Sequence, residues 1–428
     1  MNDLTMVQRE FLNILEAYMH EKEYEFPQEL SDWEGKEPGA CGSFPEELYR
    51  LAAVHLMVPA VYETIRKDRL LDRQEYAGIA GVFKRQTIRE VFLQTQRAEG
   101  FLDIYRKLCH AGIRPLVVKG IVCRSLYALS DYRVSSDEDM LLLPEDFPVC
   151  DNLLLENGFS RENVDTRALP HEIPYINRTN GVYLELHFSL FPESSGAYGH
   201  LNEEFRDVFS HCVSVEVQGT AVWTLHPTDH LFYLICHSFK HFLHGGFGIR
   251  QLCDMVMMAE HDGKEIDWDS IGEKLQRLHM DSFWAALAQI GRVWLGFDWG
   301  KAEYKQELQS ADVGYEELLL DILNSGIYGD SSAARKHSSN ITLAAAETGK
   351  KSTLHAMKKS LFPELDYMRR GYGFLERYPW LLPAAWAMRI GKYLVNRKSD
   401  RAASGEPSAE LEIGRERVAL LKKYRIIQ

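Results

Sequence analysis

The chain reads as an α/β (α+β) protein in which a small mixed sheet sits between two helical regions. Three observations carry that reading. Apolar residues recur at helical spacing through the first hundred positions, the pattern switches to short strand-like runs between about 115 and 225, and helical spacing returns from Thr228 onward. In the first region Val7, Phe11, Leu12, Ile14 and Leu15 mark one helix, and Gly35–Gly42 breaks it. Ser43, with Pro45 in the first turn and Glu46 three residues on, opens a second, predicted to run to about Arg66 and to bury Leu48, Leu51, Leu56 and Val61. A third spans about Gln74 to Cys109 and stops at Gly112.

Pro115–Val118 and Met140–Leu143 are short, wholly apolar runs of the kind that form buried strands. Between them Lys119-Gly120 turns into a short helix over Ile121–Leu129, and another helix is expected at about Pro148–Glu156. Glu172–Arg178 and Val182–Phe191 flank Asn180-Gly181, a hairpin signal. A second hairpin is expected from Val213–Val217 and Ala221–Leu225 about Gln218-Gly219. Helices follow near 228–244, 249–261, 267–278, 281–295, 314–324 and 341–359, with Gly245–Gly248 as a helix-helix corner. Asn396–Ala409 is polar and reads as a flexible connection before a last charged helix at about 410–424. The expected organisation is a helical region over 1–95, a sheet-bearing core over 96–226, a helical domain over 227–395, and a linker with a terminal helix over 396–428.

The 428 residues carry a formal net charge of −13, which argues against extended nucleic-acid binding but leaves room for a compact basic pocket. Seven scattered cysteines with no CxxC pair fit reduced thiols, and neither a secretion signal nor an apolar run of ~20 residues is evident. The expected location is therefore cytoplasmic. Tyr378–Met388 and the basic residues around it leave peripheral membrane contact as a minor possibility.

The chemistry gathers at Asp137-Glu138-Asp139. In an extended chain Asp137 and Asp139 share one face while Glu138 points away. Two carboxylates side by side repel unless a cation lies between them, and Mg²⁺ takes such oxygen ligands together with substrate phosphates. On the strand from Val182, Tyr183, Glu185 and His187 share a face opposite Leu184, Leu186 and Phe188, so Glu185 can complete a three-carboxylate site. Lys119-Gly120 opens a helix whose N–H groups can meet phosphate, and Arg133 is placed as a phosphate clamp, or else as an ion-pair partner of Asp131 or Asp137. His230, His237, His241 and His244 fall in one helical stripe; with Lys240 they could face a cleft, hold a transition metal, or simply pack. Arg250 and Asp254 stand one turn apart on the next helix.

The ordered set Pro115-Leu-Val-Val-Lys-Gly120, Tyr127, Arg133–Leu142, Gly158-Phe159, Leu184-Glu-Leu-His-Phe188, His237–His241 and Arg250–Asp254 resembles the uncharacterised nucleotidyltransferase family of the DNA polymerase β-like superfamily, over roughly residues 95–260. The resemblance implies a nucleotidyltransferase-type mixed sheet with Asp137, Asp139 and Glu185 as catalytic and metal-binding groups. It implies Mg²⁺, with a two-ion site in reach, and an NTP substrate, with ATP favoured. Lys119, Gly120, Arg133, His187, Lys240 and His241 become the expected nucleotide-binding residues. The implied reaction moves a nucleoside monophosphate to a hydroxyl-type acceptor, a small molecule or a protein, and releases pyrophosphate. A noncatalytic nucleotide-sensing or partner-binding protein on the same fold is the rival reading. The chain departs from the wider superfamily in having Lys119-Gly120 where Gly-Ser is usual, and Glu138 where an apolar residue usually separates the aspartates.

Overall fold

The structure is a computed structural model, and it describes residues 4–27, 42–162, 169–305, 313–326, 342–343, 345–346, 365–388 and 408–427. The first helix, α1 (Met6–Met19), is opened by a capping box: the Gln8 N–H donates to Thr5 Oγ1 (3.2 Å) and the Thr5 N–H to Gln8 Oε1 (3.0 Å). The Ser43 N–H donates to Glu46 Oε2 (2.8 Å) at the start of α2 (Phe44–Val54). The single helix expected from Ser43 to Arg66 is in fact two, because Leu56 takes a left-handed φ of 53° and α3 restarts at Val58–Lys67 with Pro59 in its first turn. Proline suits that position because the first-turn N–H has no partner to lose. The 31-residue α4 (Ala80–His110) starts six residues later than expected, after a 3₁₀ turn at Gln74–Tyr76, and stops before Gly112.

The sheet follows as β1 (Leu116–Val118), α5 (Gly120–Ser125), β2 (Glu138–Leu141), α6 (Phe147–Glu156), β3 (Glu172–Asn177) and β4 (Val182–His187). Strand order is β1-β2-β4-β3; β2 and β4 are parallel, and the outer pairs are antiparallel. The register that matters sets Asp139 beside Glu185 across β2 and β4, and Glu172 opposite His187 across β3 and β4. Gly181, at φ 71°, closes the β3–β4 hairpin. A second hairpin, β5 (Val213–Val217) and β6 (Thr220–Thr224), turns at Gln218-Gly219 as predicted.

Helices α7 (Pro227–His244), α8 (Ile249–His261), α9 (Trp268–Arg277), α10 (Asp281–Trp294) and α11 (Glu316–Ser325) fall where the periodicity put them. The expected helix at 341–359 and the connection at 396–409 lie almost wholly outside the described residues. The terminal helix, Ser408–Lys423, is anchored by Arg417, which is buried, lies over the Phe242 ring and donates to the Phe242 carbonyl.

Two large apolar cores hold these parts together, and a small third cluster joins Met368, Leu375 and Ala385. One lies against the sheet and unites Phe101 and Tyr105 of α4 with Val117, Met140, Leu184, Leu186 and Val222. The other is shared by the N-terminal and C-terminal helices, joining Phe11, Leu48 and Val61 to Phe232, Leu252 and Phe283 and reaching β1 through Leu116 and Val118. At roughly 1.5–3 kcal/mol per buried large apolar side chain, this shared packing presses α7 and α8 against the open side of the sheet. The result is a mixed α+β fold with a small sheet and flanking helices. No helix among the described residues is long and apolar enough to cross a membrane.

Candidate active site

A cavity of about 310 Å³ opens between one face of the central β2–β4 pair and helices α7 and α8. Asp137, Asp139, Glu172, Glu185 and His187 line the sheet side, and Lys119, Arg133, His237, Lys240 and His241 contribute to the other walls. Acidic side chains thus dominate the sheet side, while Lys119, Arg133, Lys240 and Arg250 stand with Asp254 on the others.

Asp139 is the centre. Its Oδ2 lies 2.9 Å from Lys119 Nζ, and its Oδ1 lies 2.9 Å from His187 Nε2. Burial opposes charge on Asp139, but Lys119 and His187 together hold its carboxyl well below the usual range. The same contacts act in reverse on the partners. Burial would weaken both bases, yet Asp139 leaves Lys119 raised, and hydrogen bonds to Asp139 and Glu185 push His187 up to about 9. Glu185 Oε2 lies 3.6 Å from His187 Nε2, and its side chain remains 26% exposed. Ligand atoms of Asp139, Glu185 and His187 all fall within 4.8 Å of one another, the one such metal-capable group among the described residues. Asp137 lines the cavity outside that group, and its Oδ1 accepts from Ser136 Oγ at 3.0 Å.

Glu138 does point to the opposite face, but it is buried rather than solvated. Its carboxylate accepts from Arg124 Nη2 at 2.6 Å and from the Ile121 N–H at 2.7 Å. Burial pushes this carboxyl up and the Arg124 guanidinium down, and their mutual attraction opposes both shifts. This corrects the expectation that the α5 N-terminus is free for phosphate. Ile121 is capped by Glu138, and the Val122 and Cys123 N–H groups bond the Lys119 carbonyl. Gly120 has φ 39°, and a Cβ there would run into the Glu138 carboxylate, so glycine is demanded by this internal cap.

Lys119 is held in a left-handed conformation, φ 58°, by donating its N–H to His230 Nε2 at 3.0 Å. His230 Nδ1 lies 3.3 Å from Thr224 Oγ1, which donates to the Val117 carbonyl. Burial lowers the His230 pKa to about 4, in keeping with a neutral ring that accepts from Lys119. The Lys119 ammonium also meets His237 Nε2 at 3.0 Å, and His237 meets His241 at 3.2 Å. Burial, and then the neighbouring lysines, keep both rings uncharged, His241 at about 3. The histidine stripe thus divides: His230 props the Lys119 turn, His237 and His241 line the cavity, and His244 meets Tyr198 Oη at 2.7 Å. It forms no metal-capable cluster among the described residues.

Arg133 pairs with neither Asp131 nor Asp137. It makes a two-pronged contact with buried Asp254 (Nε–Oδ1 3.0 Å, Nη2–Oδ2 2.5 Å), and Tyr127 Oη donates to the same Oδ1 at 3.0 Å. Its Nη1 is buried without a hydrogen-bond partner among the described residues. Arg250 donates to the Val134 carbonyl, bracing the loop that carries Arg133. Lys240 is half-buried in the cavity wall, its pKa lowered by burial and by Lys119.

Residues 43–296 match the uncharacterised nucleotidyltransferase family. The chain belongs to that family. No curated protein and no solved structure matches it. Sequence reasoning missed Glu172, the Arg124–Glu138 pair and the support that His230 gives to Lys119. Glu172 had a usable signal: counting outward from the Asn180-Gly181 hairpin sets it opposite His187.

Proposed function

We propose that this nucleotidyltransferase-family protein transfers a nucleoside monophosphate from an NTP, ATP by preference, to a hydroxyl-type acceptor in the cytoplasm and releases pyrophosphate. The observation that carries the reading is the cavity itself, where Asp139 and Glu185 stand side by side across from a wall of Arg133 and Lys240. The donor set fits a divalent ion, because two carboxylates on adjacent strands bring ligand oxygens within 4.8 Å of one another. Bound by Asp139 and Glu185, with Asp137 at the rim, Mg²⁺ would supply charge neutralisation at the α-phosphate.

The chain's own residues do the rest. Lys240 and the unpartnered Nη1 of Arg133 draw the β- and γ-phosphates. Lys119 and His187 hold Asp139 ionised, and Gly120 makes room for the Glu138 cap that fixes the Lys119 turn. Glu185, the most exposed of the three metal-capable side chains, takes the acceptor's proton. The acceptor oxygen then forms its bond to the α-phosphorus as the bond to the β-bridging oxygen breaks. Residues 96–226 act as the transfer core, and the helices on either side shape the acceptor side of the cleft.

A noncatalytic nucleotide-sensing reading also has an observation behind it: both Asp139 oxygens already have cationic or imidazole partners within 2.9 Å. NTP labelled at the α- or the γ-phosphate separates the two. Transfer of α-label to an acceptor, with loss of activity in Glu185→Gln, supports the transferase. Saturable NTP binding with no transfer in the presence of native cell extract supports the sensor, and movement of γ-label alone contradicts nucleotidyl transfer.

A further inference from the structure

We propose that His187 is itself a metal ligand, oriented by Glu172, and that the site therefore takes Mn²⁺ in preference to Mg²⁺. The inference rests on the nucleotidyl-transfer reading for the presence of a divalent ion, and goes beyond it in ligand set and metal identity. The three ligand atoms brought within 4.8 Å of one another are those of Asp139, Glu185 and His187, with Asp137 left outside. His187 Nε2 is directed at the carboxylate pair, 2.9 Å from Asp139 Oδ1 and 3.6 Å from Glu185 Oε2, and a bound metal takes the place of the proton it shares with them, which leaves to solvent.

The far side of the ring is the second observation. His187 Nδ1 is buried and makes no hydrogen bond among the described residues, yet it lies 3.8 Å from Glu172 Oε2, its cross-strand neighbour, an oxygen that also meets His171 Nε2 at 3.0 Å. A carboxylate behind one ring nitrogen, with the other turned toward two acidic ligands, is the arrangement by which proteins fix a metal-binding imidazole. The β-sheet register supplies it without any loop: Glu172, His187 and Glu185 lie on adjacent strands of one hairpin, and Asp139 is on the next strand.

Donor chemistry decides the ion. Mg²⁺ prefers oxygen ligands alone, whereas imidazole suits transition ions. Mn²⁺ accepts carboxylate and phosphate oxygen and tolerates nitrogen as well, so a two-oxygen, one-nitrogen set opening on a polyphosphate cavity suits it better than Mg²⁺.

The test uses the full chain and the metals alone. Electron spin-echo measurements on the Mn²⁺-loaded wild type are expected to show ¹⁴N coupling from a directly bound imidazole, and His187→Gln to abolish it. Titration monitored by the free Mn²⁺ signal is expected to show Mn²⁺ binding weakened at least about tenfold in His187→Gln and about tenfold in Glu172→Gln. Mg²⁺ affinity, measured by competition, is expected to change less than about threefold in either variant, because a hard ion gains little from the ring. Bound Mn²⁺ without nitrogen coupling, or equal losses of Mn²⁺ and Mg²⁺, overturns the proposal; if that ion is still lost in Asp139→Asn, the transferase reading survives. Absence of any bound Mn²⁺ or Mg²⁺, with or without ATP, overturns both. The wild-type spectrum is decisive even if a variant fails to fold.

Discussion

Replacing Glu138 with glutamine tests whether the middle acidic residue of Asp137-Glu138-Asp139 is structural. Glu138 and Arg124 have side chains only 6% and 2% exposed and stand 2.6 Å apart. Glutamine keeps the shape and can still accept from the Ile121 N–H, but leaves the Arg124 guanidinium buried without a counter-charge. Removing one member of such a pair costs about 3–5 kcal/mol, and the retained acceptor puts the expected loss near about 3 kcal/mol. At a urea slope of about 3 kcal/mol per M, that is a midpoint drop of about 1 M. The double variant Arg124→Leu/Glu138→Leu removes both charges together and is expected to recover at least about half of the loss, because no unpaired charge is then left buried. Urea unfolding followed by tryptophan fluorescence reads both. A Glu138→Gln midpoint within about 0.2 M of wild type, or a double variant no more stable than the single one, would refute the reasoning.

Asp254→Asn strips the counter-ion from buried Arg133 and is expected to cost about 3 kcal/mol in urea unfolding, with a parallel loss of NTP affinity by calorimetry. Lys240→Met is expected to weaken NTP binding about tenfold while leaving the thermal midpoint near wild type, since burial already disfavours its charge. His55 is buried, accepts from the Ile249 N–H, and has its pKa lowered from 6.5 to about 4 by burial. The unfolded chain therefore takes up a proton there that the folded one refuses. Stability is full above about pH 6.5 and falls by up to about 3 kcal/mol by pH 4, and His55→Gln is expected to flatten that slope in pH-dependent unfolding.

What was legible followed local chemistry. Asn180-Gly181 and Gln218-Gly219 fixed two hairpins because few other residues accept those turn conformations, and alternation along β4 correctly separated Tyr183, Glu185 and His187 from Leu184 and Leu186. The break at Leu56 was only half legible. Pro59 marks a helix start, but the left-handed Leu56 before it is no glycine; it ends α2 with its own N–H on the Ala53 carbonyl and the Met57 N–H on the Ala52 carbonyl. Pairings across long sequence distances were hidden, since nothing local to Arg133 names Asp254 and nothing local to Lys119 names His230. Alternation set Glu138 on the face away from the aspartates, but nothing local to it names the buried Arg124 that it meets there. The same contact explains why Gly120 is required, and it turns a phosphate-loop reading into an internal cap.

The most direct measurement is anomalous diffraction from crystals of the full chain grown with Mn²⁺ and a non-hydrolysable ATP analogue. One manganese peak within ligand distance of both Asp139 and Glu185, with the triphosphate running toward Lys240 and Arg133, is the predicted result. Nucleotide bound outside this cavity, or manganese bound away from those two carboxylates, would contradict it.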